Sequence, residues 1–398
     1  MKKLLLASAA IALTAGTAFA ASHGKEAKVG VILGFTGPIE SLTPIMADSA
    51  EMAMKEVNDS GKFLDGVMLS PVRADSTCID AAAATAAAER LVTTDGVVAI
   101  MGADCSGVTG AILSNVAVPN GITMISPSAT SPALSTAEDN GLFFRTSPSD
   151  ARQGVVLSDI LAERGVKSVA VTYTNNDYGK GLADSFEAAF TASGGTITLS
   201  APHEDGKADY SAEVGALASA GGELLAVFGY TDQGGKGIIQ ASLDTGAFET
   251  FMLGDGMYGD VLFAELGADL TGSFGVLPGS ESEGSTMFTD MATAAGVNGE
   301  SAYARESYDA AALIALAMMK GGEASSAAVA ANVLDVANAP GELILPGQLA
   351  KGLEILAAGG DIDYVGATNV ELIGPGEAAG SYRYYEFKDG KAETVSYK

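Results

Sequence analysis

Residues 168–190 read SVAVTYTNNDYGKGLADSFEAAF: a strand, Ser168–Tyr173, then a polar turn around Asn175-Asn176-Asp177, then a helix, Tyr178–Ala192. The strand is almost continuously apolar instead of alternating, as expected of a strand covered on both faces in a parallel sheet. The same unit repeats on either side. Downstream lie strand Thr196–Ser200, helix Tyr210–Ala220, strand Leu224–Phe228, helix Gly235–Asp244 and strand Phe251–Leu253, and helix Arg152–Glu163 precedes. An earlier series runs strand Lys28–Leu33, helix Ala47–Val57, strand Val67–Ala74, helix Ile79–Val92, strand Val97–Met101, helix Val108–Ala117 and strand Ile122–Ser126. Two such series, divided near residue 150, predict two doubly wound α/β lobes with parallel sheets.

The rest of the chain completes those lobes. Ser273–Leu277 reads as a strand, Ala302–Lys320 as a long helix with an apolar face, and Ala327–Ala337 and Leu349–Ala357 as further helices. Val370–Ile373 and Tyr382–Phe387 read as strands, the second followed by the turn Asp389-Gly390. No Pro- or Ser-rich linker separates two beads, so the chain is expected to cross between lobes more than once and form a hinge.

Composition fits this reading. A chain of 398 residues, 47% apolar and 18% charged, is folded and long enough for two cores. Its 49 acidic against 22 basic residues give a formal charge of −27, which repels nucleic-acid phosphate and anionic membrane surfaces. With two His and two Cys, no Cys/His metal cluster is expected. Lys2-Lys3, the apolar run Leu4–Leu13 and Ala18-Phe19-Ala20 follow the order of a cleaved secretory signal, so residues 1–20 read as a leader and the product as exported. No later stretch is long and apolar enough to span a bilayer.

Export decides how the cysteines are read. Cys78 and Cys105, each at a strand-to-helix junction, are expected to pair in an oxidising compartment. A nucleophilic Cys105 would need a base, and His23 and His203 sit in polar surroundings.

Nucleotide and hydrolase motifs fail on inspection. Gly254-Asp255-Gly256-Met257-Tyr258-Gly259 matches G-x-G-x-x-G, but it follows the last strand of its series and sets a carboxylate where a pyrophosphate would lie. Gly229–Gly237 lacks the Walker pattern, and no G-x-S-x-G elbow occurs. What remains is a set of polar turns at the carboxyl ends of successive strands, where open α/β sheets bind ligands. These are Gly102–Gly107, Ser126–Ser131, Asn175–Gly179, Gly229–Asp232 and Gly254–Gly256. Helix N-termini at Ser106 and near Thr130 offer N–H groups and hydroxyls to a carboxylate, Asp255 offers a partner to an ammonium, and Tyr178 and Tyr230 could cover an apolar side chain.

Together with Gly34-Phe35-Thr36-Gly37-Pro38, Cys78 with Cys105-Ser106, and Tyr308-Asp309-Ala310, these turns resemble the type I periplasmic solute-binding proteins of ABC importers, in particular the leucine/isoleucine/valine-binding branch. The resemblance runs from about Lys28 to the C-terminus. It implies a two-lobed flytrap joined by three crossovers, with a first lobe of residues 27–146 plus 278–366 and a second of 147–277 plus 367–398. It implies a periplasmic, monomeric carrier without a cofactor, not an enzyme, that closes on a free amino acid and hands it to a membrane permease. By this resemblance Ser106 and Thr130 hold the α-carboxylate, the Ser128 carbonyl and Asp255 hold the α-ammonium, and Ala129, Tyr178 and Tyr230 shape the rest. The family's acidic residue is often Glu, so Asp255 is one methylene shorter. In the first loop, Glu40-Ser41-Leu42-Thr43-Pro44, Leu42 replaces an aromatic residue of the branched-chain binders. The alternative reading is a sensor of the same fold for small amides or aromatic acids.

Overall fold

The computed structural model describes residues 26–398; the leader read in residues 1–20 lies outside them. The strands are β1 (Glu26–Leu33), β2 (Met68–Asp75), β3 (Ala99–Gly102), β4 (Met124–Ser126), β5 (Phe143–Arg145), β6 (Ser168–Thr174), β7 (Thr196–His203) and β8 (Leu224–Phe228). They continue as β9 (Phe251–Leu253), β10 (Phe274–Pro278), β11 (Glu342–Ile344), β12 (Ile362–Tyr364), β13 (Leu372–Ile373), β14 (Glu377–Ala378), β15 (Tyr382–Lys388) and β16 (Lys391–Tyr397). Two seven-stranded sheets result, in the orders β13-β14-β5-β4-β3-β1-β2 and β16-β15-β10-β9-β8-β6-β7. Within β1–β5 and within β6–β10 every pairing is parallel, because each strand returns through a helix laid across a sheet face. Among the described residues, antiparallel pairs occur only at the late edges, β13–β14, β10–β15 and β15–β16. β11 and β12 form a separate parallel pair.

Local chemistry sets the helices that carry the site. Asn176 caps the helix Asp177–Ala192 by accepting from the Gly179 N–H at 3.0 Å. That helix buries Tyr178, Leu182, Phe186 and Phe190, one stripe at i, i+4 spacing. Ser149 caps the helix Asp150–Arg164, which ends at Gly165 in the left-handed conformation. The helix Ala304–Gly321 is buried along most of its length and packs on the helix Thr43–Ser60 of the first lobe. Among the described residues no helix is long and apolar enough to cross a membrane.

The chain passes between the sheets at 146–149, 279–282 and 379–381. The last crossing corrects the expectation that residues 367–398 all belong to the second lobe. β13 and β14 extend the first sheet, with Glu377 opposite Arg145, and only at Tyr382 does the chain join the second. The cause is a set of polar ties. The buried Asp309 carboxylate accepts from the Tyr364 hydroxyl, the Ala367 and Thr368 N–H groups and the Thr368 hydroxyl at 2.7–2.9 Å, and Glu377 pairs with the buried Arg145 guanidinium. The helix start expected near Thr130 is only a short 3-10 segment, Pro132–Thr136, capped by Ser131.

Candidate ligand-binding site

The carboxyl ends of the two sheets face each other across a cavity lined by residues of both lobes. From the first lobe, Ile39, Leu42, Asp104, Cys105, Ser106 and Ser128 line it. From the second come Tyr178, Tyr230, Asp255 and Gly256, and Tyr303 enters from the start of the Ala304 helix. Ser106, Ser128, Tyr178, Tyr230, Asp255 and Leu42, singled out from the sequence, therefore meet at one cavity. Ala129 and Thr130 are fully buried beside it and do not line it.

The first-lobe wall is braced from beneath. Asp104 accepts from the Gly34 N–H at 2.6 Å and the Ser76 hydroxyl at 2.9 Å, tying the ends of β1, β2 and β3 together. Burial pushes its carboxyl above the ordinary carboxylate range despite these donors. The Cys78–Cys105 disulfide, with Cα atoms 5.1 Å apart, joins the same two loops. Ser106 Oγ accepts from the Ser131 N–H at 3.1 Å, which leaves its own proton to donate into the cavity. Ser128 Oγ is committed to the Asp104 carbonyl at 3.1 Å.

The opposite wall is built on Asp255. Its Oδ1 accepts from the Tyr178 hydroxyl at 2.7 Å and from Gln153 Nε2 at 3.0 Å, and its Oδ2 accepts from the Tyr303 hydroxyl. Its N–H donates to Gln153 Oε1 at 3.1 Å. The Tyr178 oxygen in turn accepts from the Gly256 N–H at 3.0 Å, and a Cβ at Gly256 would stand 2.6 Å from the Gly229 carbonyl, so only glycine permits that approach. Burial, then the Asp255 charge, holds the Tyr178 and Tyr303 phenols well above their ordinary pKa, so both stay neutral donors. Tyr178 and Tyr230 stack with centroids 5.2 Å apart and form a flat apolar wall.

A carboxylate has about four acceptor positions. Asp255 fills three from the protein. Among the described residues no Lys, Arg or His lines the cavity. The arrangement thus offers the Asp255 carboxyl with an open acceptor position on one side, hydroxyl donors on the other, and aromatic and aliphatic walls between. At the rim the lobes touch directly: the Ser41 N–H and hydroxyl donate to the Asp232 carboxylate at 2.9 and 2.8 Å, and the Asp232 N–H donates to the Pro38 carbonyl at 3.1 Å.

Ile39, Gln153 and Tyr303 were not read from the sequence. Gln153 carried a signal, a polar residue on the inward face of an amphipathic helix. Tyr303 carried none, being an ordinary aromatic at a helix start until the fold brings it to Asp255.

Comparison with known proteins bears on family and fold. The periplasmic binding protein family matches residues 26–346. A Leu/Ile/Val-binding protein homolog of Brucella melitensis is 32% identical over 255 residues, covering 64% of this chain and 67% of that protein. A leucine-, isoleucine-, valine-, threonine- and alanine-binding protein of Pseudomonas aeruginosa is 29% identical over 329 residues, 82% of this chain and 86% of that one. The crystal structure of a leucine-binding protein of Thermotoga maritima superposes with a TM-score of 0.78 at 21% identity, covering 93% of this chain and 98% of that chain.

Proposed function

The chain belongs to the periplasmic binding protein family, and from that premise we propose that it is the extracytoplasmic solute-binding component of an ABC transporter, carrying a free amino acid of the branched-chain or a related type. The observation that carries this reading is the buried Asp255 carboxylate, which faces the cavity with an acceptor position open and no protein cation beside it. An α-ammonium supplies the missing charge, in a dry site where an unpaired ion is costly. The α-carboxylate then turns toward the free Ser106 proton and the backbone of 128–131, and the side chain lies against Leu42, Ile39 and the Tyr178–Tyr230 pair. Aromatic acids and small amides, the alternative cargo, bring no cation to Asp255.

In this reading the molecule is a carrier that leaves its ligand unchanged. Ligand groups contact both lobes at once, so binding favours the closed arrangement by the difference in affinity between closed and open states. The closed, monomeric protein is then what a membrane permease recognises, on the outer side of the membrane to which a leader directs it. The support is the binding specificity that its relatives are named for, the two-walled cavity and the leader-like sequence of residues 1–20. A thermal-shift screen against the twenty amino acids, small amides and aromatic acids tests it. Stabilisation by aliphatic amino acids is expected; stabilisation by aromatic acids alone would replace this reading with the alternative.

A further inference from the structure

Behind Asp255 lies a second carboxyl that the ligand-binding scheme above does not use. Asp150 opens the helix Asp150–Arg164, immediately after the first crossing between lobes, and it is completely buried. Its N–H donates to the Thr130 carbonyl at 2.9 Å, and its Oδ1 accepts from Gln153 Nε2 at 2.9 Å. The same Gln153 amide nitrogen donates to Asp255 Oδ1 at 3.0 Å, so one NH2 group bridges the two carboxyls. Asp150 Oδ2 is left buried without a partner, and so is the hydroxyl of Thr130.

Two carboxylates bridged by one amide, with no cation in contact, do not both ionise in a dry interior. Arg145, the nearest base, spends its guanidinium on the Ala129 and Ser131 carbonyls, Ser135 and Glu377. The other titratable groups facing Asp150 are Asp255 and the phenols of Tyr178, Tyr303 and Tyr382. Asp255 has three side-chain donors aimed at it, whereas Asp150 has one. Burial and the Asp255 charge both push the Asp150 carboxyl well above its ordinary range. With Oδ1 occupied by Gln153, the proton belongs on Oδ2, the oxygen left without a partner.

We propose that Asp150 is a neutral positioning residue that joins the two ends of the binding site. Its N–H holds the Thr130 carbonyl of the first-lobe loop 128–131, and its side chain, through Gln153, fixes the Asp255 carboxylate of the second lobe. The Asp255 carboxylate is thereby set in a fixed relation to the donors at the other end of the ligand. This inference rests on the amino-acid reading given above.

The test is calorimetric titration of L-leucine into wild type, Asp150→Asn and Asp150→Ala, alongside infrared difference spectra of the ligand-free proteins. Asn keeps an acceptor for Gln153, so Asp150→Asn should bind within about threefold of wild type, whereas Asp150→Ala, which leaves Gln153 without that acceptor, should bind about tenfold or more weakly. Wild type should show the stretching band of a neutral carboxylic acid that Asp150→Asn lacks. If Asp150→Ala does not fold, Gln153→Met, which keeps the volume and removes the bridge, should show the same loss. Unchanged affinity in Asp150→Ala or its substitute would overturn the positioning role and leave the proposed function standing. An Asp150→Asn protein as weak as Asp150→Ala, at an unaltered melting temperature, would mean that a negative charge is needed there. Wild type that fails to bind L-leucine in the titration, and any amino acid in the thermal-shift screen, overturns the function and this inference together.

Discussion

Asp255 accepts from Gln153, Tyr178 and Tyr303, and these three donors belong to different elements that the fold brings together from residues 153, 178 and 303. Truncating it should therefore act twice. Asp255→Ala removes the partner of the ligand's ammonium and strands three buried donors, so amino-acid affinity should fall about a hundredfold or more in calorimetric titration, with a lower melting temperature. Affinity within threefold of wild type would remove Asp255 from the site. At this scale the sequence was informative where a residue ended a strand in a polar turn, as Ser106, Tyr178, Tyr230 and Asp255 do. Thr130, also singled out from the sequence, lies beside the cavity instead of on its wall, where the Arg145 guanidinium holds the flanking 129 and 131 carbonyls from within.

The helices and long strands were legible because periodicity and capping agree. The expected helix Tyr178–Ala192 is observed as Asp177–Ala192, and Phe251–Leu253 is observed unchanged. Strands of two or three residues were not legible. Phe143–Arg145 ends in a charged side chain, and Glu377–Ala378 has no run at all, yet both are held by the Arg145–Glu377 ion pair between them. The third crossing was accordingly placed too early. The expected pairing of Cys78 with Cys105 is present in the structure. It closes the loop that carries β3 to the cavity, and replacing both cysteines with serine should lower unfolding free energy by about 3–4 kcal/mol in denaturant titration. A loss under 1 kcal/mol would show that the unfolded chain is already constrained there.

The whole molecule turns on its crossings, and Glu306 sits among them. It is buried against Pro278, Gly279 and Thr368, and the Thr146 hydroxyl donates to its carbonyl at 2.8 Å. Burial pushes its carboxyl up to about 8 from an ordinary 4.5. Between those values the folded chain holds a proton that the unfolded chain has released, so this group's contribution is fully present below 4.5 and is lost as pH rises to about 8. Glu306→Gln should remove that dependence. Its melting temperature should exceed that of wild type at pH ~9 and match it near pH ~4, and a parallel pair of curves would refute the assignment.

The rim contact between Ser41, Pro38 and Asp232 has a different bearing. It is made by protein on protein, whichever guest is enclosed. Whatever it adds to shutting the trap it adds alike for every guest, so it can tune how tightly the protein holds its cargo but cannot tell one cargo from another. Evolution or design could therefore retune retention at residue 41 or 232 while leaving preference among side chains to the tyrosines and Leu42.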